Sequence, residues 1–365
     1  MSILYRYVLR EFLIPLFYCI IGFVGIYIMF EMFGSFNRLM ESALPFSAIV
    51  GYFAGYLSPF FQWLLPAALM LATLYTMWNF CRHSEITAMR ASGVGFSAIV
   101  APLLTVAAIF TVAVFVSNEW YAPDAAEQAN DLRKTRFKQT DVKIAKNIPY
   151  YNRYARRIWR VERMDTSHPN TLYGVKVTID RPNGTREVDI TCAQADYLDG
   201  VWWFSYPEYR YFNENNDQIA DPVPATSALP LRQFPEFSEK PRDFVLMNKA
   251  WEFYNVRDML RYLREHPTLD KEERAERVYD LHAKLAAPFA CMIITLLAIP
   301  FGVATGRQSV FHGVMSAVGL FFAYYGAVIG GMVLAKNGLL NPLAAAWTPN
   351  LIFLGVGIWL FRRQR

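Results

Sequence analysis

The side chains most often used for metal binding or catalysis are sparse in this sequence and form no motif. There is no H-E-x-x-H or C-x-x-C pattern, and the five histidines are far apart in the chain: His83, His168, His266, His282 and His312. We therefore predict no metal site. The glycine-containing segment 302–307 lacks the lysine that contacts nucleotide phosphates in a P-loop. We predict no cofactor and no catalytic residues, so energy for any work must come from a partner.

The most informative polar segment is 82–93, which is predicted to form a short helix. Ser84 can cap its first turn, Glu85 lies at the positive end of the helix dipole, and Gly93 can end it. Three residues share one face because they are spaced i, i+3 and i+4: Ile86, Met89 and Arg90. Such a helix is a short rigid element that a partner could contact and displace. The alternative is a helical turn that only shortens a loop.

Long apolar segments flank this polar segment. Six runs contain no Asp, Glu, Lys or Arg, and each is long enough to cross about 30 Å of hydrocarbon as a helix. They are residues 12–30, 42–81, 91–118, 285–306, 308–335 and 337–361. The chain is 54% hydrophobic and only 18% charged, which excludes a soluble enzyme, a coiled coil and a disordered chain. The sequence predicts a polytopic α-helical membrane protein with six spans, three before and three after a polar domain.

Arginines in the short segments predict the orientation in the membrane. If 42–81 contains one span, eight arginines and two glutamates lie in short segments on one side. The positive-inside rule makes this side cytoplasmic, so both termini are cytoplasmic and 119–284 lies on the external side of the membrane. Two spans in 42–81 would separate the arginines of the two chain ends. The net charge of +5 lies in these loops and predicts no nucleic-acid partner.

Two short helices are predicted beside the spans. Residues 2–13 carry Arg6 and Arg10 one turn apart on an otherwise apolar surface, which is typical of an interfacial helix. Prolines and glycines cluster in the first part of 42–81. We therefore predict a short helix over 46–57, before a span over about 60–80. The sequence leaves open whether 46–57 is interfacial or part of a span.

Between the two sets of spans, the hydrophobic period becomes that of β-strands. Residues 157–163, 172–180 and 185–192 alternate apolar and polar side chains, and Pro182-Asn183-Gly184 and Asp199-Gly200 are strong turn signals. This pattern predicts an all-β domain, a sandwich or a jelly roll, without an internal disulfide, since Cys192 is its only cysteine. The predicted parts are 1–118 (interfacial helix and spans one to three with the helix at 82–93), 119–247 (periplasmic β-jellyroll domain with a helical lead-in), 248–284 (periplasmic helical connector) and 285–365 (spans four to six).

Four strings stand out in the order of the chain. They are Ser-Glu-Ile-x-Ala-x-Arg-Ala-Ser-Gly at 84–93, Asn-Glu-Trp-x-x-Pro at 118–123, Leu-Leu-Ala-Ile-Pro-Phe-Gly at 296–302 and Ala-Trp-Thr-Pro-Asn at 346–350. Together with the three-plus-three layout, they resemble the lipopolysaccharide export permease family (LptF/LptG, also called the YjgP/YjgQ type) over essentially the whole chain. The string at 118–123 favours the LptG type.

The resemblance implies a non-catalytic permease subunit of an ATP-binding-cassette (ABC) exporter in the bacterial inner membrane. Such a subunit extracts lipopolysaccharide and passes it to a periplasmic bridge. The implied partners are two copies of a cytoplasmic ABC ATPase, a paralogous six-span permease subunit, a single-span periplasmic bridge protein and lipopolysaccharide. Two other classes stay open: an envelope scaffold or sensor with a ligand-binding periplasmic β domain, and an intramembrane enzyme, which the lack of a catalytic cluster disfavours.

The resemblance also suggests roles for individual residues. Glu85 matches the acid of the family's coupling helix and is expected to pair with a basic ATPase residue. Ile86, Met89 and Arg90 are predicted to lie at the same contact with the ATPase. Of these, Ile86 and Met89 are expected to fill a groove beside the basic ATPase residue. Arg38, just beyond the first span, matches by position the basic side chains that meet lipid phosphates, although nearby acids could pair with it.

Two further groups of residues have either a functional role or a purely structural one. Aromatic residues of the β domain either form its core or line an acyl-chain groove, and the candidates for the groove are Trp202, Phe204 and Tyr211. Gly326 and Gly330 place small residues on one helix face. They either allow packing within this chain or form a mobile interface with a sister subunit.

Overall fold

The computed structural model of the protein describes residues 3–40, 44–134, 144–152, 155–166, 168–219, 230–265, 269, 271–305 and 310–363. These residues form two compact units. The membrane unit comprises Met1–Lys138 and Asn255–Arg365, and the β unit comprises Gln139–Tyr254. Each unit is described by itself below.

The helices of the chain have the following bounds. They are α1 (Ile3–Met40), α2 (Phe46–Leu57), α3 (Phe61–Arg82), α4 (Glu85–Ala91), α5 (Phe96–Val116), α6 (Ala122–Lys134), α7 (Pro241–Asn248), α8 (Val256–Glu265), α9 (Lys271–Ala286), α10 (Ala290–Thr305), α11 (Val310–Lys336) and α12 (Pro342–Arg362). Helix α7 belongs to the β unit and the others to the membrane unit. Short 3₁₀ turns, each containing a proline, join α2 to α3 and α9 to α10.

Six helical stretches of the described residues are long and apolar enough to cross a membrane. They are Ile3–Phe36, Phe46–Arg82, Phe96–Arg133, Lys271–Val303, Val314–Lys336 and Pro342–Arg362. This confirms the predicted six spans, of which three precede the β unit in the chain and three follow it. The separate short helix expected over 46–57 is α2, which at about 18 Å is too short to cross a bilayer alone.

The predicted interfacial segment 2–13 is not a separate element, because α1 continues without a break from Ile3 to Met40. Val8, Phe12 and Leu16 are buried in one apolar cluster with residues of α3 and α5, so the first half of α1 packs on the bundle. Pro15 removes the N–H that would bond to the carbonyl of Glu11. The hydroxyl of Thr76 in α3 contacts that carbonyl at 3.4 Å, so the proline is tolerated within the helix.

The helical lead-in of the β domain packs in the membrane unit. Gly55 of α2 lies so close to α6 that a Cβ at this position would overlap the carbonyl oxygen of Ala125. Glycine permits this contact because it has no side chain. The compact β unit begins at Gln139, after this helical lead-in, and it ends at Tyr254.

The β unit is an antiparallel sheet of eight described strands. They are β1 (Ile144–Asn152), β2 (Arg157–Asp165), β3 (Thr171–Asp180), β4 (Arg186–Leu198), β5 (Val201–Ser205), β6 (Glu208–Phe212), β7 (Gln218–Ile219) and β8 (Leu231–Phe234). The strand order is β1-β2-β3-β4-β5-β8, and β6 pairs with the first half of β4 and with β7. The all-β class is confirmed. Consecutive strands β1 to β5 are neighbours, as in a meander, so jellyroll connectivity is not confirmed.

Both predicted tight turns connect strands of this sheet. Gly184 has a φ of 83° and its N–H donates to the carbonyl of Arg181 at 3.0 Å, which closes the turn between β3 and β4. Asp199 and Gly200 both have positive φ values, 51° and 83°, between β4 and β5. Two central residues with positive φ form a type I′ turn, whose twist matches that of the paired strands.

Aromatic side chains fill the core of the β unit. Trp159 and Trp202 are fully buried and their ring centroids are 5.5 Å apart, with Phe204, Phe237 and Phe244 packed against Trp159. Cys192 is also buried, and burial raises the pKa of its thiol to about 12. At neutral pH this thiol is therefore protonated and unreactive while the unit is folded.

One buried carboxylate makes the stability of the β unit depend on pH. Asp189 is buried, and burial alone would raise its pKa. The hydrogen bonds from Lys176, at 2.8 Å, and Thr178, at 2.7 Å, outweigh burial and hold the pKa of Asp189 below its ordinary value. Its contribution to stability is thus present above an unfolded pKa of about 3.9 and is lost as the pH falls through the lower folded pKa.

Replacing Asp189 with asparagine is expected to destabilise the β unit by about 1–3 kcal/mol at neutral pH, since Lys176 loses its charged partner. The difference from wild type should shrink as the pH falls below about 4. Amide hydrogen exchange of β3 and β4 in the full chain, corrected for the intrinsic exchange rate at each pH, measures this difference. A difference that stays constant from neutral to acidic pH would contradict the proposed charge pairing.

Candidate functional site

The site with the clearest construction is the short helix α4, which connects α3 to α5. Its first turn is not capped as predicted: Ser84 adopts a left-handed conformation with a φ of 58°, and its side chain makes no capping hydrogen bond. Its end is built as predicted. Gly93 has a φ of 87°, and the N–H groups of Gly93 and Val94 donate to the carbonyls of Arg90 and Met89, both at 3.0 Å. This pattern is a Schellman motif, which fixes the end of α4.

The apolar side chains of α4 face the bundle, which corrects one prediction. Ile86 is only 6% exposed and packs in the cluster that contains Val8, Phe12, Phe80 and Phe96. It therefore cannot fill a groove of a partner in this packed state, because removing it from the core would expose a large apolar surface. Met89 is half-buried against the same cluster. Ile86 and Met89 anchor α4 to α1, α3 and α5.

The polar side chains of α4 lie at its accessible edge. Arg90 is exposed, and Glu85 is half-buried beside α1. The hydroxyl of Tyr7 in α1 donates a hydrogen bond of 2.8 Å to Oε2 of Glu85. The structure thus brings Glu85, Met89 and Arg90 to one end of the bundle. Tyr7 is a residue of this site that was not predicted, and its separation of 78 positions from Glu85 left no local signal in the sequence.

The segment 118–123 forms a second polar site, at the end of α5. Residues Ser117–Tyr121 adopt a π-helical turn, a distortion that is common at functional positions. Within it, Glu119 accepts a hydrogen bond of 2.9 Å from the backbone N–H of Val256, and Arg257 lies 3.6 Å from its other oxygen. Glu119 thereby ties the end of α5 to the start of α8. The string at 118–123 was identified in the sequence, whereas the contacts of Glu119 with Val256 and Arg257 of α8 were not predicted.

The glycines of α11 belong to two different faces. A Cβ added at Gly331 would lie 2.7 Å from the carbonyl oxygen of Ala345, so Gly331 permits the packing of α11 on α12. A Cβ added at Gly326 or Gly330 would meet no described atom within 4 Å outside the nearby backbone of α11 itself. Among the described residues, close packing of another element on these two glycines is therefore not observed, and their face is open.

The three aromatic residues considered for lipid contact differ in their surroundings. Trp202 and Phe204 have no exposed surface and belong to the core of the β unit. A lipid could reach them only if this core opened. Tyr211 is half-buried, packs at the edge of the core and stacks on Tyr209. The backbone of Arg38 lies in α1, and its side chain lies outside the described residues.

A metal site is not found in the part of the chain that the structure describes, where no three His, Cys, Asp or Glu side chains are grouped closely enough to hold an ion. The features that the geometry does present are a short helix anchored in a bundle, a polar contact between two helices, and an open glycine face.

The chain was also compared with known proteins. A search of the curated proteins found no match to the chain. The sequence model of the family described as "Lipopolysaccharide export system permease LptF/LptG" matches residues 6–363. The match does not distinguish LptF from LptG, so the LptG type stays a prediction. With its six apolar helices, it indicates a multi-pass inner-membrane protein and a permease component. The chain therefore belongs to the LptF/LptG family of lipopolysaccharide export permeases.

Proposed function

We propose that the chain is the transmembrane permease subunit of an ABC exporter that extracts lipopolysaccharide from the inner membrane. In this proposal it hydrolyses no ATP itself, and two copies of a cytoplasmic ATPase drive it. The observation that carries the proposal is the construction of α4, whose apolar side is buried among α1, α3 and α5 while Glu85 and Arg90 stay accessible. A partner outside the membrane can contact and displace such a helix, and the helix transmits this displacement to the spans.

Close packing supports the mechanical role of α4. Ile86 shares its cluster with the fully buried Phe12 of α1, Phe80 of α3 and Val100 of α5. Because protein interiors are close-packed, a displacement of α4 moves these three helices together instead of being absorbed locally. Nucleotide-dependent movement of a bound ATPase would then rotate the spans as a rigid group. This movement would squeeze the lipid out of its membrane site toward the β unit.

Two partners beyond the ATPase follow from the same scheme. The open face at Gly326 and Gly330 suits close approach by a helix of a paralogous six-span subunit. The β unit is proposed to pass lipopolysaccharide to a single-span periplasmic bridge protein, and Tyr211 is its most accessible candidate for lipid contact among the three aromatic residues named. Arg38 is proposed to meet a lipid phosphate near the outer end of α1.

Co-purification tests the assembly. The tagged chain, solubilised from membranes in mild detergent, is expected to bring an ABC ATPase and a second six-span chain in stable proportions. A scaffold or sensor would be isolated without an ATPase, and an intramembrane enzyme would show turnover as the isolated chain. Either of these results would contradict the transport proposal.

The orientation is proposed to place both termini and α4 in the cytoplasm and 119–284 in the periplasm. Cys192 cannot report on this because it is buried and its thiol has a pKa of about 12. Ala193, the next residue of β4, is exposed. An Ala193→Cys variant is expected to react with a membrane-impermeant maleimide in cells whose outer membrane alone is permeabilised, whereas the parent chain is not labelled in the β unit. Labelling only after the inner membrane is broken would invert the proposed orientation.

A further inference from the structure

The outward surface of α1 carries a groove that the transport proposal does not use. Val8, Phe12 and Leu16 are buried in the bundle, so the other side of α1 faces outward. A shallow groove of about 550 Å³ runs along that side. Arg6 and Arg10 lie at one end of it, and apolar side chains line the rest: Leu13, Ile14, Phe17 and Tyr18.

The charged end of the groove has no counterion among the residues that the structure describes. Arg6 and Arg10 are both exposed and are one helical turn apart. Neither forms an ion pair with any residue that the structure describes. Like charges at this spacing destabilise a helix slightly, and an anion bound between them would remove the repulsion. The planar guanidinium group matches phosphate oxygens with paired hydrogen bonds, so a phosphate is the anion that fits best.

The remainder of the groove is suited to an acyl chain. From Arg10 to Tyr18 the helix rises by about 12 Å, and it continues into the most apolar part of the first span. The groove therefore changes from basic to apolar along the same axis as a lipid changes from headgroup to tail. Phe17 is 61% exposed and Tyr18 is 69% exposed, so this part of the groove is open to a lipid chain.

We propose that this groove binds one anionic phospholipid of the bilayer. The phosphate lies between Arg6 and Arg10, and one acyl chain lies along Leu13, Ile14 and Phe17. A zwitterionic lipid is disfavoured because its headgroup cation would face two arginines. An apolar helix of another protein is disfavoured because it would remove both charges from water without a partner. The site requires only that α1 crosses a bilayer, so it stands whether or not α4 binds an ATPase.

Native mass spectrometry of the full chain tests the site. The chain is delipidated in a neutral detergent and titrated separately with phosphatidylglycerol, phosphatidylcholine and inorganic phosphate. Phosphatidylglycerol is expected to bind most tightly, and its affinity should fall about fivefold for each arginine replaced in the Arg6→Gln and Arg10→Gln variants. Arg362→Gln is the matched control, since Arg362 is an exposed arginine at the end of α12 and lies outside the groove.

A second variant keeps the charges and fills the apolar part of the groove. Ile14→Trp is expected to weaken phosphatidylglycerol binding while both arginines remain, and thermal melting verifies that each variant is folded. Equal affinity for the two phospholipids, or unchanged binding after removal of both arginines, would overturn the proposal. If inorganic phosphate bound as tightly as phosphatidylglycerol, the groove would bind anions without contacting an acyl chain, and the lipid proposal would be wrong. Lipid-free dimers that Ile14→Trp separates would show that a second protein chain occupies the groove.

Discussion

A Glu85→Lys substitution is expected to abolish lipopolysaccharide transport while the chain still folds and inserts. The carboxylate of Glu85 lies at the accessible edge of α4, where it is proposed to meet a basic residue of the ATPase. Lysine would place two positive charges together at that contact, which costs several kcal/mol and weakens association by more than about a hundredfold. The measurement is the affinity of the purified ATPase for the variant chain, with transport measured in parallel.

The hydrogen bond between Tyr7 and Glu85 supplies the matched control. Tyr7→Phe removes the 2.8 Å bond to Glu85 but keeps the carboxylate. It is expected to cost about 0.5–1.5 kcal/mol of folding stability and to leave ATPase binding near normal. Normal ATPase binding and activity with Glu85→Lys would remove the coupling role. Equal damage by Tyr7→Phe would show that Glu85 acts only by holding α1 to α4.

The second large effect is expected from leucines on the open face of α11. Because a Cβ at Gly326 or Gly330 meets no described residue of another element within 4 Å, the double variant Gly326→Leu/Gly330→Leu should fold normally as an isolated chain. It should lose the sister subunit, since each leucine overpacks a close helix contact at a cost of about 1–3 kcal/mol. Co-purification of the sister chain measures pairing, and the melting temperature of the isolated chain measures folding.

Gly331→Leu is the control on the same helix. Its side chain would collide with the carbonyl of Ala345 within the chain, so the isolated variant should melt at a lower temperature. The two variants thus separate an external from an internal packing face of α11. Undiminished pairing of the Gly326→Leu/Gly330→Leu chain would place the subunit interface elsewhere. A lowered melting temperature for that chain would mean that the open face is needed for folding.

Features that depend on local chemistry could be predicted from the sequence. Runs without charge located the six spans, because a charged side chain in hydrocarbon is costly over any stretch of helix. Asp199-Gly200 predicted its hairpin because a type I′ turn requires two positive φ values. Gly93 predicted the end of α4 for a similar reason.

Features that depend on packing could not be predicted in this way. The spacing of Ile86, Met89 and Arg90 places them on neighbouring parts of a helix surface, but it does not state which side faces the bundle. Packing turns Ile86 inward, so the apolar face anchors α4 and the polar edge stays accessible. Ser84 has the side chain of a cap, yet in the tight connection from α3 it adopts a left-handed backbone and makes no capping hydrogen bond.

The short helix that carries the candidate site was therefore predicted, whereas its contacts were not. Glu85 was located by its string, whereas Tyr7 joins it from a helix 78 positions away. The helical lead-in belongs to the membrane unit because α6, although polar, packs against α2 through the contact of Gly55 with Ala125. Long-range contacts of this kind leave no periodic signal in a single sequence.

The central claim is that this chain moves lipopolysaccharide when a partner hydrolyses ATP. Its most direct test is release of lipopolysaccharide from proteoliposomes that contain the chain, its co-purified six-span partner and the ATPase, with a purified periplasmic bridge protein as acceptor. The account predicts transfer that requires ATP hydrolysis and stops with Glu85→Lys. Equal transfer with and without ATP, or no transfer by a complex that hydrolyses ATP normally, would contradict it.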